Sequence, residues 1–333
     1  MASEIRWGIL GCGRIARKFA SDLQLLSDSV LMAAGSRTLE NARVFAHEFS
    51  IANVHGSYES LVNDPGVDVI YVASPHGQHY EHVMLCLNHG KAVLCEKAFA
   101  INQRQAKEMI GLARQRKLFL MEALWTKFMP HFQIVMEMLQ SGKLGKLRNI
   151  LVNFGFIPQE PVPQRLYDPA LGGGSLLDIG IYCVFMALSA LGRPDEIEAV
   201  MTPTSTGVDE QLAVNFKYAG GELAQLFSSF STNLPTEAEI SGEQGRIRLT
   251  TRFYEPGTSI EYYPGRVDSR QLISFHKEPG FGYQFQARHV VECLRMGLTE
   301  SPIMRHEDTL LIMETMDRIR EKIGLRYAAD DKS

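Results

Sequence analysis

The sequence predicts an α/β protein: an N-terminal doubly wound parallel sheet, then a second, α+β domain with a largely antiparallel sheet. Three observations carry this. Short apolar runs alternate with amphipathic segments through residues 1–124, the pattern of a parallel sheet wrapped by helices. The first run ends on Gly11-Cys12-Gly13-Arg14-Ile15-Ala16, a tight glycine turn that opens a helix. After Trp125 the segments lengthen and read as strands joined by turns.

Taken in order, Ile5–Leu10 is the first expected strand and 14–26 its helix. Strand 30–34 follows, then a helix over Leu39–Phe49 with Ala42, Phe45, Ala46 and Phe49 on one face. Strands at 67–73, 93–95 and 118–121 alternate with helices over His79–Asn88 and 103–115. Beyond Trp125 the spacing predicts a helix at 128–139 and strands at 148–156, 196–201, 211–218, 223–230, 238–241 and 246–249. Ala219-Gly220-Gly221 is an expected hairpin turn. A glycine-led helical run covers 172–191, and two helices, 283–296 and 307–323, form the tail. The expected domains are therefore 1–124 and 125–333, with the last helices free to pack back on the first domain.

Composition narrows the function. Of 333 residues, 45% are hydrophobic and 22% charged, which excludes a disordered chain. The 34 basic and 38 acidic residues give a formal charge of −4, against a nucleic-acid or anionic-membrane binder, which needs clustered positive charge. The apolar runs near Val69, Val93 and Leu118 fall far short of the roughly 20 residues needed to span a bilayer. The stretch MASEIRWGILGCG enters a strand without a basic head and apolar signal core. Five scattered cysteines without a CxxC pair read as reduced packing residues of a cytoplasmic protein. His47, His55, His76, His79 and His82 lie close together but lack a ligand spacing such as HExxH, so no metal is expected.

The glycine turn has the context of a dinucleotide site. Gly11 permits the turn, Gly13 lets the backbone approach a pyrophosphate, and Ala16 replaces the third glycine while keeping helix and strand close. Cys12, Arg14 and Ile15 complete the loop, and the helix amino terminus offers N–H groups and partial positive charge to phosphates. An acidic residue that would bind the ribose 2′-hydroxyl is missing after the second strand. Ser36-Arg37-Thr38 stand there instead. Arg37 can pair with a 2′-phosphate and the hydroxyls can donate to it, so NADP is expected over NAD. A solvated Arg37 stacked on adenine would accept either cofactor.

Two further runs point to chemistry. Cys95-Glu96-Lys97 ends a buried-looking strand, where the switch-point rule places a ligand. Ser74-Pro75-His76, with His79 three residues on, ends the preceding strand and should line the same crevice; His79 is equally readable as a plain first-turn helix residue. In Gly172-Gly173-Gly174-Ser175-Leu176-Leu177-Asp178-Ile179-Gly180-Ile181-Tyr182, Asp178 and Tyr182 share one face of an apolar helix. That pair is readable as a site, or as a helix-end carboxylate and a core tyrosine.

These residues together resemble the glucose–fructose oxidoreductase / inositol dehydrogenase (Gfo/Idh/MocA) family. WGILGCGRIA, HGSYESLVNDP, VMLCLNHGKAVLCEKA, FLMEALWTKFMP and LLDIGIYC look nearest to its branch of dimeric dihydrodiol and NADP-linked D-xylose dehydrogenases. The likeness runs from Arg6 to the final helix and thins between Pro194 and Pro279. It implies a Rossmann cofactor domain, a substrate-binding domain with a large, mostly antiparallel open sheet whose exposed face makes a homodimer or higher homo-oligomer, and NADP-linked oxidation of a hydroxyl on a cyclic sugar or diol. By motif position, Lys97 would be the central catalytic lysine with Asp178 and Tyr182 beside it. Tyr71, His79 and Trp125 would belong to the cofactor or substrate pocket.

Two departures stand out. The family usually has Glu-Lys-Pro, often with a cis bond before the proline; here the run is Glu96-Lys97-Ala98, so either the cis bond is kept without proline or Lys97 is presented differently. Lys127 stands where the branch often has arginine, which loses a bidentate contact. The expected chemistry uses Tyr182 or Lys97 as general base, with Asp178 orienting hydroxyls. Phe156, Arg165, Tyr167 and the Pro235 region are further pocket candidates. Two rival expectations remain: a regulatory protein that binds NADP without turnover, and a sugar–sugar oxidoreductase with a tightly held cofactor.

Overall fold

A computed structural model describes residues 4–265 and 269–331. Residues 1–3 of the amino-terminal stretch read above lie outside the described residues. By contacts the chain divides into two compact units, Met1–Trp125 with Glu278–Leu310, and Thr126–Lys277 with Leu311–Ser333.

The first unit holds six strands, β1 (Ile5–Leu10), β2 (Ser29–Gly35), β3 (Asn53–His55), β4 (Val69–Val72), β5 (Ala92–Glu96) and β6 (Leu120–Ala123). They form one parallel sheet in the order β3-β2-β1-β4-β5-β6. Every residue of VIYV in β4 and AVLCE in β5 is buried, as expected for strands covered on both faces. The strand order reverses between β1 and β4, so the ends at Leu10 and Val72 flank the crevice where such sheets take ligands. The wrapping helices are α1 (Arg14–Leu23), α2 (Leu39–Phe49), α3 (Tyr58–Val62), α4 (His79–Asn88) and α5 (Gln103–Arg116). Thr38 and Asn102 cap α2 and α5 by accepting the backbone N–H groups of Asn41 and Gln105.

The segment Glu278–Leu310 completes this unit. Its helix α8 (Tyr283–Arg295) packs on α1. Asp22 of α1 accepts the N–H groups of Phe281 at 2.8 Å and Tyr283 at 2.7 Å. At the sheet edge the Leu120 N–H donates to Thr299 O at 3.3 Å, and Leu120 O lies 2.9 Å from His306 Nε2.

The second unit holds α6 (Pro130–Gln140), α7 (Ile181–Leu191) and eight strands. These are β7 (Leu147–Gly155), β8 (Glu196–Pro203), β9 (Asp209–Lys217), β10 (Leu223–Ser229), β11 (Ala238–Gly242), β12 (Gly245–Thr250), β13 (Ser259–Pro264) and β14 (Gln271–Ile273). Their order is β14-β13-β12-β11-β7-β10-β9-β8, and the β7–β10 pair alone is parallel among them. Ile150, Val152 and Phe154 face the core while Leu151 is exposed, the alternation of a sheet covered on one face. α7 lies on that covered face, and Phe185 stacks on Phe132 of α6 with ring centroids 4.9 Å apart. The helical stretch Pro169–Leu191 is apolar and long enough to cross a membrane, but most of it is buried, as in a core helix. The expected hairpin at Ala219-Gly220-Gly221 joins antiparallel β9 and β10.

Among the strands and α-helices of the described residues, β3, α3, β13 and β14 escape the sequence reading. β3 and β14 have three residues each, too few for a period to register. β13 ends in Tyr262-Tyr263-Pro264, where proline masks a strand. The first helix stops at Leu23 rather than 26, because the chain turns there toward β2.

Candidate active site

In the first unit the glycine turn has the geometry a pyrophosphate needs. Gly11 sits at φ +96°, and a methyl group there would meet the Ala73 carbonyl carbon and oxygen at 3.1 Å. A methyl on Gly13 would meet nothing within 4 Å, so that backbone opens on free space. α1 starts without a side-chain cap or an acidic residue in its first turn, which leaves its amide donors to an anion. Cys12 turns its thiol toward Gly35 O at 3.5 Å, and burial pushes that thiol up to about 11. These residues fit the phosphates of a dinucleotide.

Arg37 is exposed just past β2, whereas Ser36 is buried and Thr38 serves as the α2 cap. The fold brings two unforeseen neighbours to Arg37. Tyr58 and His82 meet edge to face with centroids 4.6 Å apart, and the Arg37 charge acts on both. His82 Nδ1 lies 2.8 Å from Ser74 Oγ. Burial, then the charges of His79 and Arg37, push His82 down to about 4, against the pull of Glu59. Glu59 thus brings into this neighbourhood a carboxylate that is not evident from the residues around Arg37.

The crevice floor is built from the ends of β4 and β5. Tyr71 is fully buried, stacked on Phe19 with centroids 3.8 Å apart, and its hydroxyl donates to Glu96. The other Glu96 oxygen accepts the Lys97 backbone N–H at 3.3 Å. The Lys97–Ala98 peptide is cis, so the family's backbone form is kept without its proline. His79 is fully buried with its two ring nitrogens 2.8 Å from the Ala98 and Ser74 carbonyl oxygens. Burial, with the Lys97 charge beside it, pushes His79 down to about 4. A neutral ring has one N–H, so one of the two carbonyls receives it. His79 therefore sits between the Pro75 loop and the segment after Lys97, bonded to one of them and packed against the other. Trp125 is buried, with one indole face stacked on Tyr283 at 4.3 Å.

In the second unit the glycine-led run is held by close backbone approaches. A methyl on Gly173 would lie 2.8 Å from Leu166 O, and one on Gly174, at φ +114°, 2.2 Å from Asp209 Oδ1. The helix that follows opens with a π-helical turn, Leu176–Gly180, before α7. Such turns are rare and recur at functional sites. This one carries Asp178, and α7 carries Tyr182; both are buried. Arg165 donates to Asp178 Oδ1 at 2.9 Å. Tyr182 joins an aromatic cluster with Tyr254 at 4.9 Å and Phe154 at 5.8 Å. Burial with Glu255 nearby pushes Tyr254 up to about 12, so it stays a neutral phenol. Sequence reasoning missed Phe154 and Tyr254, which no motif marks. Of the unplaced pocket candidates, Arg165 meets Asp178, while Phe156 and Tyr167 pack edge-on to Phe230 at 5.4 and 5.9 Å.

Comparison with known proteins bears on the family of both units. Residues 5–124 match the model of the oxidoreductase family with an NAD-binding Rossmann fold, and residues 132–248 match the GFO/IDH/MocA C-terminal domain. The chain is 36% identical over 334 residues to trans-1,2-dihydrobenzene-1,2-diol dehydrogenase of Sus scrofa, covering 98% of this chain and 99% of that one. It is 38% identical over 331 residues to the Xenopus laevis protein of the same name, covering 97% and 99%. Among solved structures, a 3-ketoreductase from Actinomadura kijaniata in complex with NADP and TDP-benzene superposes with a TM-score of 0.86 at 27% identity, over 96% of this chain and 98% of that one. With a dinucleotide crevice in one unit and matching models over both, the chain belongs to the Gfo/Idh/MocA family of NAD(P)-dependent oxidoreductases.

Proposed function

We propose that the protein is an NADP-linked dehydrogenase that moves a hydride between the nicotinamide and a hydroxyl-bearing carbon of a cyclic sugar or diol. The observation that carries this reading is Lys97, which directly follows buried β5 at the ligand end of the parallel sheet, its backbone N–H donating to Glu96 and the next carbonyl, Ala98 O, meeting His79. Support for the substrate class comes from the dihydrodiol dehydrogenases, and for the cofactor from the NADP held by the 3-ketoreductase and from Arg37 after β2.

When bound, the dinucleotide supplies the hydride acceptor in oxidation and the donor in reduction. In this reading Lys97, Asp178 and Tyr182 share one substrate. Tyr182 Oη takes the hydroxyl proton in oxidation and returns it in reduction. A free phenol has a pKa near 10, poorly matched to neutral pH. A neighbouring cation, the role this reading gives to the Lys97 ammonium, would favour the ionised form of such a phenol. Asp178, held by Arg165, accepts hydrogen bonds from neighbouring substrate hydroxyls. The assembly is a homodimer through the open face of the eight-stranded sheet, where register puts the exposed Leu151, Val200 and Leu223 on one side. Free thiols at all five cysteines suit a cytoplasmic, reducing compartment.

The test is NADPH formation from NADP on a panel of pentoses, hexoses, inositols and aromatic trans-dihydrodiols. Steady turnover with at least one cyclic substrate is expected. Binding of NADP without turnover on any of them would replace the enzyme with a cofactor-sensing protein. NADP that stays with the protein through gel filtration and exchanges redox between two sugars would replace it with a sugar–sugar oxidoreductase.

A further inference from the structure

Asp209, the first residue of β9, is fully buried and no sequence motif marks it. Its Oδ2 accepts the Ser175 hydroxyl at 2.7 Å and the Leu176 backbone N–H at 2.6 Å. Those two donors open the π-helical turn that carries Asp178 and runs on to Tyr182. Oδ1 has no hydrogen-bond partner and lies against Gly174, where a Cβ would be 2.2 Å away. The third glycine of the run is therefore needed because Asp209 occupies the space of a side chain. Ser175 also meets Ser228 of β10 at 2.9 Å, which completes the bracket around the helix start.

We propose that Asp209 is a positioning residue for the active-site helix: its carboxylate clamps the first turn through Ser175 and Leu176, and the clamp weakens when the carboxylate takes up a proton. An anion at this end of a helix is favoured by the amide dipoles, so loss of its charge loosens the turn that aims Asp178 and Tyr182. Burial raises Asp209 to about 6, against the pull of its hydrogen bonds, which puts the change within a working pH range. Of the groups packed against it, Ser175 and Ser228 do not titrate. Tyr327, from the C-terminal segment, donates to Gly173 O at 2.6 Å, and burial and the Asp209 charge push its phenol far up. Behind that ring Arg320 lies 5.3 Å away, paired with Asp317 and Asp330. The proposal rests on the reading that Asp178 and Tyr182 act on substrate.

The experiment compares wild type, Asp209→Asn and Ser175→Ala from pH 5 to 9 by turnover of D-xylose with NADP, and by hydrogen exchange of residues 174–182. Wild type should show an acid limb in kcat near pH 6. Asp209→Asn should lose that limb, drop about ten- to a hundredfold in kcat at pH 8 as the reacting groups are misplaced, and keep its KM for NADP within about twofold. Ser175→Ala removes one donor but leaves the carboxylate, so it should keep the limb. Exchange of the 174–182 amides, corrected for intrinsic rate, should speed up in wild type below pH 6 and be fast in Asp209→Asn throughout. An Asp209→Asn enzyme with wild-type kcat and wild-type protection, or an acid limb that survives in it, overturns the proposal. If wild type turns over no member of the substrate panel, the functional reading fails, and exchange still decides the clamp.

Discussion

Replacing Asp209 by asparagine should stabilise the fold at neutral pH while it lowers turnover, and the size of the gain follows from the site. Burial lifts the carboxyl from 3.8 to about 6, so the folded chain holds this proton more tightly than the unfolded chain. Such a group contributes stability that is complete below about pH 3.8 and lost as pH rises through about 6. At about 1.4 kcal/mol per tenfold change in proton binding, wild type gives up about 3 kcal/mol across that window. Asparagine carries no charge and gives up none. Its amide nitrogen replaces Oδ1, which has no partner, so part of the gain is returned and about 3 kcal/mol is an upper bound. For a cooperative unit of 150–250 residues, about 2–4 °C accompanies each kcal/mol, so the ceiling is about 6–12 °C in Tm. Differential scanning calorimetry at pH 4, 6 and 8 measures it. The Tm difference between variant and wild type should grow from near zero at pH 4 to its full value at pH 8. A variant equally destabilised at all three values would show that Asp209 is a structural bond with no buried charge to relieve, and the reasoning would fail.

Substitutions at five residues test the site directly. Arg37→Ala should raise the KM for NADP far more than that for NAD, and steady-state kinetics with both cofactors reads the difference; equal effects would remove the 2′-phosphate assignment. Lys97→Met should cost about two to four orders of magnitude in kcat, the usual range for a positioned proton-transfer group, and Tyr182→Phe with nearly unchanged turnover would rule out the tyrosine as base. Gly11→Ala forces a methyl to 3.1 Å from the Ala73 carbonyl at φ +96°, so it should lower both Tm and NADP affinity. Gly13→Ala should lower affinity alone, since nothing of the protein lies within 4 Å, and fluorescence titration with NADPH separates the two.

Local signals in the chain were enough to read the cofactor half. A strand, a glycine turn and a helix follow one another within Ile5–Leu23, and each has its own period or residue type. Buried strands such as β5 announce themselves as unbroken apolar runs, and Lys97 stands out against one. What stayed hidden depends on contacts between distant residues. Asp209 reaches Leu176 from 33 residues away, and on its own strand it looks like any acidic residue beside a turn. Tyr58 and His82 gather at Arg37 because α3 neighbours both β2 and α4, which no spacing along the chain reveals. The π-helical turn is hidden for another reason: Asp178 and Tyr182 at i and i+4 read as ordinary α-helix, and one extra residue per turn leaves the apolar pattern intact. β14 is the edge strand and β13 the next one in, at the end of the sheet where β14 is short and mostly exposed.

The cofactor half is not finished where its last strand ends. Leu120 on the outermost strand is met by Thr299 and His306, and α1 needs α8, all synthesised after the whole of the eight-stranded sheet. During translation the nucleotide fold therefore waits, with an open strand edge and a bare helix flank, until residue 310 has left the ribosome. A gene fragment cut after Trp125 would stop at that waiting state and pair its edge with other copies. A soluble cofactor-binding fragment requires residues 278–310 to be joined back by a linker.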